Sequence, residues 1–316
     1  CWFEGRARLM RWGLIRRVAA KVHEAATPLR RPVRHARFHL LAWRHRADLR
    51  SFVDAGPSQL ADMLRVRPDS LGVLVWPYIH RDWLVAARLA SIVGHYRLVE
   101  AQRWLHVPIG PRLQLADLSE VRPGLSLQLD RPPWFLREGE LTLNLFLGSQ
   151  RLYSVAFSLA EDAGGPIAVI GGIQGRHIDG AKELYAELTK DLHGCRPRDF
   201  IVQSLFCLCA AIGIPRTLAI ADDKRHHRHH YFTKTHGAMV SANYDTIWHD
   251  RGGVLRPDGF FMMPTELHFR HGSEIPSRKR ALYRRRYEVL HHIQAQFSAL
   301  AAGNREPQEL IHEPAV

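Results

Sequence analysis

The spacing of hydrophobic residues changes along the chain, and each change marks a different kind of element. Up to about residue 105, hydrophobic residues recur at helical intervals, as in RDWLVAARLASIVGHYRLVEAQRWL. From about 112 to 175 they alternate with polar residues, in runs separated by short connections that contain Gly, Pro, Asp or Ser. Because a two-residue period is that of a strand, these runs predict successive antiparallel strands. The runs are RLQLADL, LSLQLD, ELTLNLFL, RLYSVAFSL and PIAVIGGIQG.

Helical periodicity returns after the last of these runs. DGAKELYAELTKDL predicts one helix, and PRDFIVQSLFCLCAAIGI is so apolar that it predicts a helix buried against the sheet. RTLAIADD predicts a further buried strand, and a long helix follows from about Pro276 to Ala302. The sequence therefore predicts an α+β fold: a basic helical region over 1–105, a core domain with an antiparallel sheet and packed helices over 106–303, and a disordered tail over 304–316.

The positive charge of the chain is concentrated in two places. The net charge is +13, and residues 1–50 contribute +10 of it, from 13 Arg and Lys against Glu4, Glu24 and Asp48. A second block, RKRALYRRR at 278–286, has six basic residues and no acidic one. This distribution indicates an anionic ligand or an anionic membrane surface as partner. Nucleic acid is disfavoured because the sequence contains no helix-turn-helix, zinc-finger or RNP signature.

Cysteine usage and hydropathy indicate the compartment. No apolar run approaches the roughly 20 residues that a membrane span needs. The four cysteines show no disulfide spacing, and Cys207 and Cys209 lie in an apolar helix where core packing is expected. We therefore expect a cytoplasmic protein. The segment 1–26 has the pattern of a basic amphipathic helix, which would either lie on the inner membrane or dock on its own domain.

The segment GGIQGRHIDG at 171–180 ends a predicted strand in glycines just before a helix. Such a turn can cradle a phosphate with backbone N–H groups and a helix N-terminus. A meander, a glycine turn and a helix follow each other in this order in GNAT-type acyltransferases, which hold the pyrophosphate of coenzyme A there. Acyl-CoA is therefore a candidate cofactor, with Gly172, Gln174, Gly175, Arg196 and Arg198 as candidate binding residues. The alternatives are a tight packing turn and a local salt-bridge cluster.

Four polar residues are candidates for catalysis: Glu138, Glu140, Asn144 and Asp222. Strand alternation places Glu140 and Asn144 on one face, opposite a row of leucines. If that face lines a cleft, Glu138 or Glu140 can serve as a general base while Arg198 holds an anionic group. Asp222 ends a predicted strand, a position that catalytic carboxylates often occupy and where a strand also simply meets water.

The segment ADDKRHHRHHYFTKTH, from residue 221, is rich in histidine. On a helix, His226 and His230 would share a face near Asp222, which makes these three residues the alternative metal site. The arginine and lysine residues among them disfavour a divalent cation, so we do not expect a metal. The segment is interpreted instead as a loop whose positive charge is tunable near neutral pH.

Several segments together resemble the VirK/YbjX family of bacterial proteins, over roughly residues 70–300. These segments are EGELTLNLF, RLYSVAFSL, GGIQG, LHGCRPRDF, NYDTIWHDRGG, DGFF and EIPSRKRALYRRRYEVL. The resemblance implies virulence-associated biology and envelope stress near the Gram-negative envelope, in a domain family of unestablished activity. It supplies no catalytic residues.

Three functions remain open from the sequence. The first is an acyltransferase-like enzyme that uses an acyl thioester and acts on a peptide or lipid near the envelope. The second is a non-enzymatic accessory protein that binds anionic lipid or a protein partner. The third is a histidine-rich metalloenzyme.

Overall fold

Nine strands form one sheet in the computed structural model, which describes residues 13–24, 27–54, 56–176, 179–232, 242–267, 269–303, 306 and 308–310. The strands are β1 (Arg112–Asp117), β2 (Leu125–Asp130), β3 (Leu141–Leu147), β4 (Gln150–Asp162), β5 (Gly165–Gly175), β6 (Arg216–Ile220), β7 (Val254–Leu255), β8 (Phe260–Met263) and β9 (Gln308–Leu310). Their order across the sheet is β7-β8-β6-β5-β4-β3-β2-β1-β9. The five predicted runs of alternating residues are the antiparallel strands β1 to β5.

One pair of strands is parallel. Ile167–Ile170 of β5 lie beside Arg216–Ala219 of β6, whereas the other neighbouring strands run antiparallel. A parallel pair needs a long crossover connection, usually a helix. Here the crossover consists of the two helices that the sequence predicts between these strands.

The helices of the described residues cover both faces of the sheet. They are α1 (described over 13–22), α2 (Arg31–Arg44), α3 (Arg46–Asp54), α4 (Ser58–Val66), α5 (Val85–Ala101), α6 (Ala181–Asp191), α7 (Pro197–Ala211), α8 (Tyr244–His249) and α9 (Ser277–Ala301). The predicted α+β class, with helices ahead of the sheet, is confirmed, whereas the sheet was predicted as antiparallel and contains the parallel pair β5–β6.

The two faces of the sheet carry different side chains. All residues from Leu141 to Phe146 in β3 are buried, so both faces of this strand are covered. α5 packs on β4, and its Tyr96 reaches Glu140, so α5 lies on the polar face. The apolar helix α7 packs on β3, β4 and β5 and covers the leucine face. α9 packs on α7 and β1. Cys207 and Cys209 are buried in α7, as predicted.

The structure describes part of the N-terminal helix and part of the C-terminal tail. In α1, Ile15, Val18 and Ala19 are buried, which ties the described part of this helix to its own domain. Residues 1–12 lie outside the described residues. In the tail predicted from residue 304, Gln308–Leu310 form β9, because the outer edge of β1 offers backbone groups that a strand can pair. No helix of the described part of the chain is long and apolar enough to cross a membrane.

Candidate functional site

The loop between β2 and β3 carries Glu138 onto the polar face of β5. A β-carbon at Gly172 would stand 1.9 Å from Glu138 Oε2, and one at Gly171 would stand 2.1 Å from the Glu138 carbonyl oxygen. Only glycine leaves enough room at these two positions. The space beside Gly172, which was predicted to hold a phosphate, is therefore occupied by the Glu138 carboxyl group of the same chain.

The Glu138 carboxyl group is buried but lies directly below the surface. Its side chain is 5% exposed, and Gln174 Nε2 donates to its two oxygens at 3.1 and 3.2 Å. Burial raises the pKa of Glu138 to about 7, although the Arg225 charge and the Gln174 hydrogen bond lower it. Gln174 itself is exposed. The pKa of this carboxyl group thus lies near neutral pH, and the amide of an exposed residue contacts both of its oxygens.

Arg225 anchors the segment that follows β6. It is buried, its guanidinium carbon lies 3.5 Å from the ring centre of Tyr244, and its Nη1 donates to Asp222 Oδ1 at 3.2 Å. Arg228 donates to the other oxygen of Asp222 at 2.6 Å. Burial raises the pKa of Asp222, but the hydrogen bonds from Arg228, the Tyr244 N–H and Arg225 outweigh it and lower the pKa. Asp222 is thus an ionised anchor for two arginines.

The aromatic residues of α8 close the edge where β5 and β6 part. Strand pairing ends at Ile170 of β5, and beyond it the Tyr244 hydroxyl accepts from the Ile173 N–H at 2.7 Å and donates to the Ile173 carbonyl oxygen at 3.0 Å. Trp248 Nε1 donates to the Ile220 carbonyl oxygen at 2.9 Å. Side chains of a helix thus take the place of a strand partner.

Three arginines gather on the α7 side of the same strand end. Arg196 and Arg198 stand at the start of α7, and Arg251 pairs with Asp199. Burial and the nearby charge of Arg198 lower the pKa of Arg251 to about 10. Arg198 and Arg251 both lie within ion-pair distance of Asp199, and the charge of Arg196 acts on Arg251.

Tyr153 links this arginine cluster to β5. Burial raises the pKa of Tyr153, while the charges of Arg198 and Arg251 oppose the rise, so both arginines lie close to it. A β-carbon at Gly175 would stand 2.7 Å from the ring of Tyr153. The arginine cluster and Glu138 therefore flank the carboxyl end of β5 from the two faces of the sheet.

Glu140 lies in a separate buried network. Its carboxylate accepts from the Tyr78 hydroxyl at 3.2 Å, the Tyr96 hydroxyl at 3.0 Å and Arg131 Nη2 at 3.1 Å. Ser158 completes the network by bonding to Tyr78 at 2.8 Å. These partners occupy both carboxylate oxygens and join α5 to the sheet.

Asn144 belongs to a third network, on β2, β3 and β4. Its Nδ2 donates to Asp130 Oδ1 at 2.9 Å, and its Oδ1 accepts from the Ser154 hydroxyl at 2.7 Å and from Arg151. The structure therefore brings Glu138, Gly172 and Gln174 together and leaves Glu140 and Asn144 elsewhere on the predicted face.

The histidine segment does not form the helix face that the sequence suggested. Residues His226–Arg228 make a single 3-10 turn, and His229 is extended, with a ψ of 147°. Burial lowers the pKa of His227 to about 4 and that of His226 well below its usual value. The interpretation of these two imidazoles as charges tunable near neutral pH is therefore wrong, because burial beside arginines keeps them neutral.

The alternative metal site is not assembled either. Within the described ranges, no three His, Cys, Asp or Glu side chains come together as ligands for a metal. Both oxygens of Asp222 already accept from Arg225 and Arg228, and His230 lies exposed beyond the 3-10 turn.

Sequence reasoning missed three residues of this site, Arg225, Tyr244 and Arg251. Arg225 stands in the histidine-rich segment, and Tyr244 and Arg251 stand in NYDTIWHDRGG. A signal was present in the second case, since Asn243 caps α8 by accepting from the Thr246 N–H. An arginine and two aromatic residues in and next to such a short capped helix indicate side chains that pack together in one conformation.

A large groove lies away from Glu138. It holds about 750 Å³ on the α5 face, and its lining includes Ala87, Ala90, Ile167, Leu218 and Phe260. These residues lie at the other end of β5. The groove and the Glu138 site are therefore separate features of one face.

The comparisons with known proteins identify the family. The model of a family described as "Protein of unknown function (DUF535)" matches residues 28–299. The chain therefore belongs to this family. The match includes the segments that carry the resemblance to VirK/YbjX proteins, and that resemblance is confirmed.

Individual relatives come from Escherichia coli, Haemophilus influenzae and Mannheimia haemolytica. The chain is 28% identical over 238 residues to the uncharacterized protein YbjX of Escherichia coli K12, covering 71% of each chain. It is 25% identical over 263 residues to an uncharacterized protein of Haemophilus influenzae, covering 81% of this chain and 85% of the other. A protein of Mannheimia haemolytica named membrane protein LapB is 28% identical over 212 residues, which are 65% of this chain and 88% of that one.

Proposed function

We propose that this protein is an acyltransferase-like enzyme that binds an acyl thioester of coenzyme A at the carboxyl end of β5. The observation that carries the proposal is the position of the buried Glu138 carboxyl group against Gly172 and Gln174, with a cluster of arginines on the other side of the same strand end. Burial, which raises the pKa of Glu138 to about 7, supports it. Transfer of an acyl group from coenzyme A requires a base that takes the proton of the acceptor and positive charge that binds the phosphates of the coenzyme. Both kinds of group lie at this strand end.

Glu138 is the proposed general base. A base works best when its pKa lies near the working pH, and the pKa of Glu138 is about 7. Gln174 holds both of its oxygens from the solvent side, so a substrate amine or hydroxyl that displaced this amide would meet the carboxylate. Gln174 is thereby a positioning residue for Glu138.

Arg196 and Arg198 are the proposed ligands of the coenzyme phosphates. Guanidinium groups bind phosphate through paired, charge-assisted hydrogen bonds. Asp199, their acidic neighbour, is already paired with Arg251, so positive charge remains in excess. The Tyr244 hydroxyl closes the strand edge at Ile173, and the proposal therefore places the ligand farther out, across the exposed Gln174 and Arg176.

The reaction would proceed as a simple acyl transfer. The Glu138 carboxylate takes a proton from the acceptor nitrogen or oxygen while that atom attacks the thioester carbonyl carbon. The carbon–sulfur bond then breaks, the acyl group stays on the acceptor, and the coenzyme A thiolate takes up the proton. A peptide amine or a lipid hydroxyl satisfies the acceptor chemistry.

The strand topology supports the same proposal. An antiparallel meander leads into β5, which ends in Gly175 and is followed by α6, the order in which GNAT-type acyltransferases hold coenzyme A. This chain differs in having two helices, α6 and α7, between its parallel strands β5 and β6. The second helix is the one that contributes Arg196 and Arg198.

The test measures binding and turnover separately. Calorimetric titration with coenzyme A is expected to show a dissociation constant that rises roughly a hundredfold in the Arg196→Gln, Arg198→Gln double variant, since each lost charged hydrogen bond weakens binding by about 1.5 kcal/mol. Glu138→Gln should bind coenzyme A with unchanged affinity but lose most of the thiol release from acetyl-CoA, with water or an added amine as acceptor.

The matched control removes two basic residues from another exposed site, in Arg278→Gln, Lys279→Gln. It should bind coenzyme A as the unmodified protein does. Equal weakening in both double variants would show that binding follows net charge alone and would overturn the assignment. Failure of the unmodified protein to bind coenzyme A, or turnover that survives in Glu138→Gln, would overturn the function itself.

A further inference from the structure

α2 exposes a row of hydrophobic side chains on the face that points away from the core. Phe38 and Ala42 are buried, while Val33, Leu40 and Trp43 are 71%, 63% and 55% exposed. At 3.6 residues per turn, positions 33, 40 and 43 fall within a stripe about 80° wide, on the side opposite Phe38 and Ala42. Leu29, in the turn before the helix, is exposed as well.

Only positive charges border this stripe. No Asp or Glu occurs from residue 25 to residue 47, whereas six arginines do. Arg30, Arg37 and Arg44 recur every seven residues along one side of the stripe and are exposed, and within the described residues none of them forms an ion pair. On the other side, the guanidinium of Arg46 lies 5.0 Å from the ring centre of Trp43.

A helix docked on a soluble domain normally turns charged and polar residues to the solvent. α2 instead has two apolar faces, one toward the core and one outward. Single exposed hydrophobic residues are common on proteins, but a continuous row of them next to unpaired arginines marks an interaction surface.

The chemistry of this surface fits the interface of a bilayer. Apolar side chains of such a helix enter the boundary between headgroups and acyl chains, and arginine side chains reach from their apolar stems to the lipid phosphates. Tryptophan is enriched at the depth of the headgroups. A surface with several arginines and no carboxylate is complementary to a layer of negative phosphates.

We propose that the outward face of α2 docks this protein on the surface of an anionic lipid bilayer. Val33, Leu40 and Trp43 insert among the headgroups, and Arg30, Arg37 and Arg44 contact lipid phosphates. The helix lies in the plane of the membrane and does not span it. This inference is independent of the acyl-transfer proposal, because it uses another surface and a different ligand.

Vesicle co-sedimentation of the full chain tests the proposal. Binding to phosphatidylcholine vesicles that contain phosphatidylglycerol should exceed binding to phosphatidylcholine alone and should weaken at high salt. Arg30→Gln, Arg37→Gln, Arg44→Gln should weaken it roughly a hundredfold, since each basic residue near an anionic surface contributes about fivefold. Leu40→Asn, Trp43→Asn should weaken it about tenfold or more, because less apolar surface enters the lipid.

Two controls match these variants in charge and in exposed apolar surface. Arg278→Gln, Lys279→Gln, Arg285→Gln removes three charges from the other basic block, and Val66→Asn, Leu84→Asn replaces two residues that are 64% and 78% exposed. Both controls should keep the binding of the unmodified protein. Because all the substituted residues are exposed, the variants should unfold at unchanged denaturant concentrations.

Three outcomes would overturn the inference. Equal loss of binding in the charge control would assign membrane attraction to net charge rather than to α2. Binding that does not depend on phosphatidylglycerol would show that this surface does not recognise the net negative charge of the bilayer. A concentration-dependent dimer in sedimentation velocity that Leu40→Asn, Trp43→Asn dissociates would show that a second copy of the chain covers this face.

Discussion

At the scale of single residues, the fold buries the carboxyl group of Glu138, where its ionised form is disfavoured. Gly171 and Gly172 leave just enough space for it, Gln174 covers it, and burial raises its pKa to about 7. Proteins rarely bury a carboxyl group with so little compensation unless the group has a task. The cost of keeping it ionised can be measured as a dependence of stability on pH.

We expect Glu138→Gln to become more stable relative to the unmodified protein as the pH rises. The folded protein holds the Glu138 proton more tightly than the unfolded chain, where the pKa is near 4.5, so this residue costs stability as the pH rises through about 7. The difference in the free energy of unfolding should grow by about 2 to 3 kcal/mol between pH 5 and pH 8. Urea denaturation at the two pH values measures it.

Glu183→Gln provides the comparison, because Glu183 is exposed on α6. Its difference from the unmodified protein should stay the same at both pH values. A Glu138→Gln difference that is equally flat would mean that the carboxyl group titrates normally in the folded protein, and would remove the basis for its role as a base.

At the scale of elements, α8 acts as a substitute strand. The Tyr244 hydroxyl bonds to the N–H and to the carbonyl oxygen of Ile173, where β5 has left β6. The Arg225 guanidinium packs on the Tyr244 ring, and Trp248 bonds to the end of β6. One short helix thus satisfies backbone groups of both parallel strands.

Tyr244→Phe should therefore lower the free energy of unfolding by about 2 to 3 kcal/mol, because it leaves a buried N–H and a buried carbonyl oxygen without their partner. Amide hydrogen exchange at Ile173 should accelerate more than exchange in the centre of β4. Tyr283→Phe is the control, since in the described residues the Tyr283 hydroxyl makes no hydrogen bond, and it should change stability by less than about 0.5 kcal/mol. An equal effect of both substitutions would contradict the role of the hydroxyl.

The sequence predicts well those elements that carry a regular period. β1 to β5 follow from alternating residues, and the apolar composition of α7 predicts its burial. β7, β8 and β9 have two to four residues each, which are too few to show a period. They form because the backbone N–H and carbonyl groups of a neighbouring strand bond to them.

The candidate site was predictable only in part, for a different reason. Glu138 and Gln174 meet across 36 residues of sequence, and no local pattern specifies such a contact. The glycines of GGIQG indicated a close approach to the backbone, but not whether a ligand or a side chain makes it. Burial of His226 depends on packing that a polar-looking segment does not reveal.

At the scale of the whole molecule, buried polar networks join the helical N-terminal region to the sheet. Tyr78 and Tyr96 come from that region, and both donate to Glu140, which Arg131 also contacts. Such a network is favourable only when every member has its partner, and here the carboxylate accepts on both oxygens. The two regions should therefore lose their structure together.

A double-mutant cycle of Tyr96→Phe and Glu140→Gln tests this coupling. We expect an interaction energy of about 1 to 2 kcal/mol, because the two groups share a charged hydrogen bond. Tyr96→Phe combined with Glu183→Gln, an exposed residue of α6, should be additive within about 0.5 kcal/mol. Tryptophan fluorescence and far-ultraviolet circular dichroism should report one coincident transition in the unmodified protein. Two separate transitions would show that the regions unfold independently.

The pairing of β1 with β9 has a consequence for how the protein is made. Arg112 lies beside Leu310 and Gln114 beside Gln308, so an edge that leaves the ribosome early meets its partner only late in synthesis. Until then the nascent chain carries a meander of strands with one open side, and an open strand edge readily accepts a foreign strand. The interval before β9 emerges is when newly made molecules are most prone to join one another.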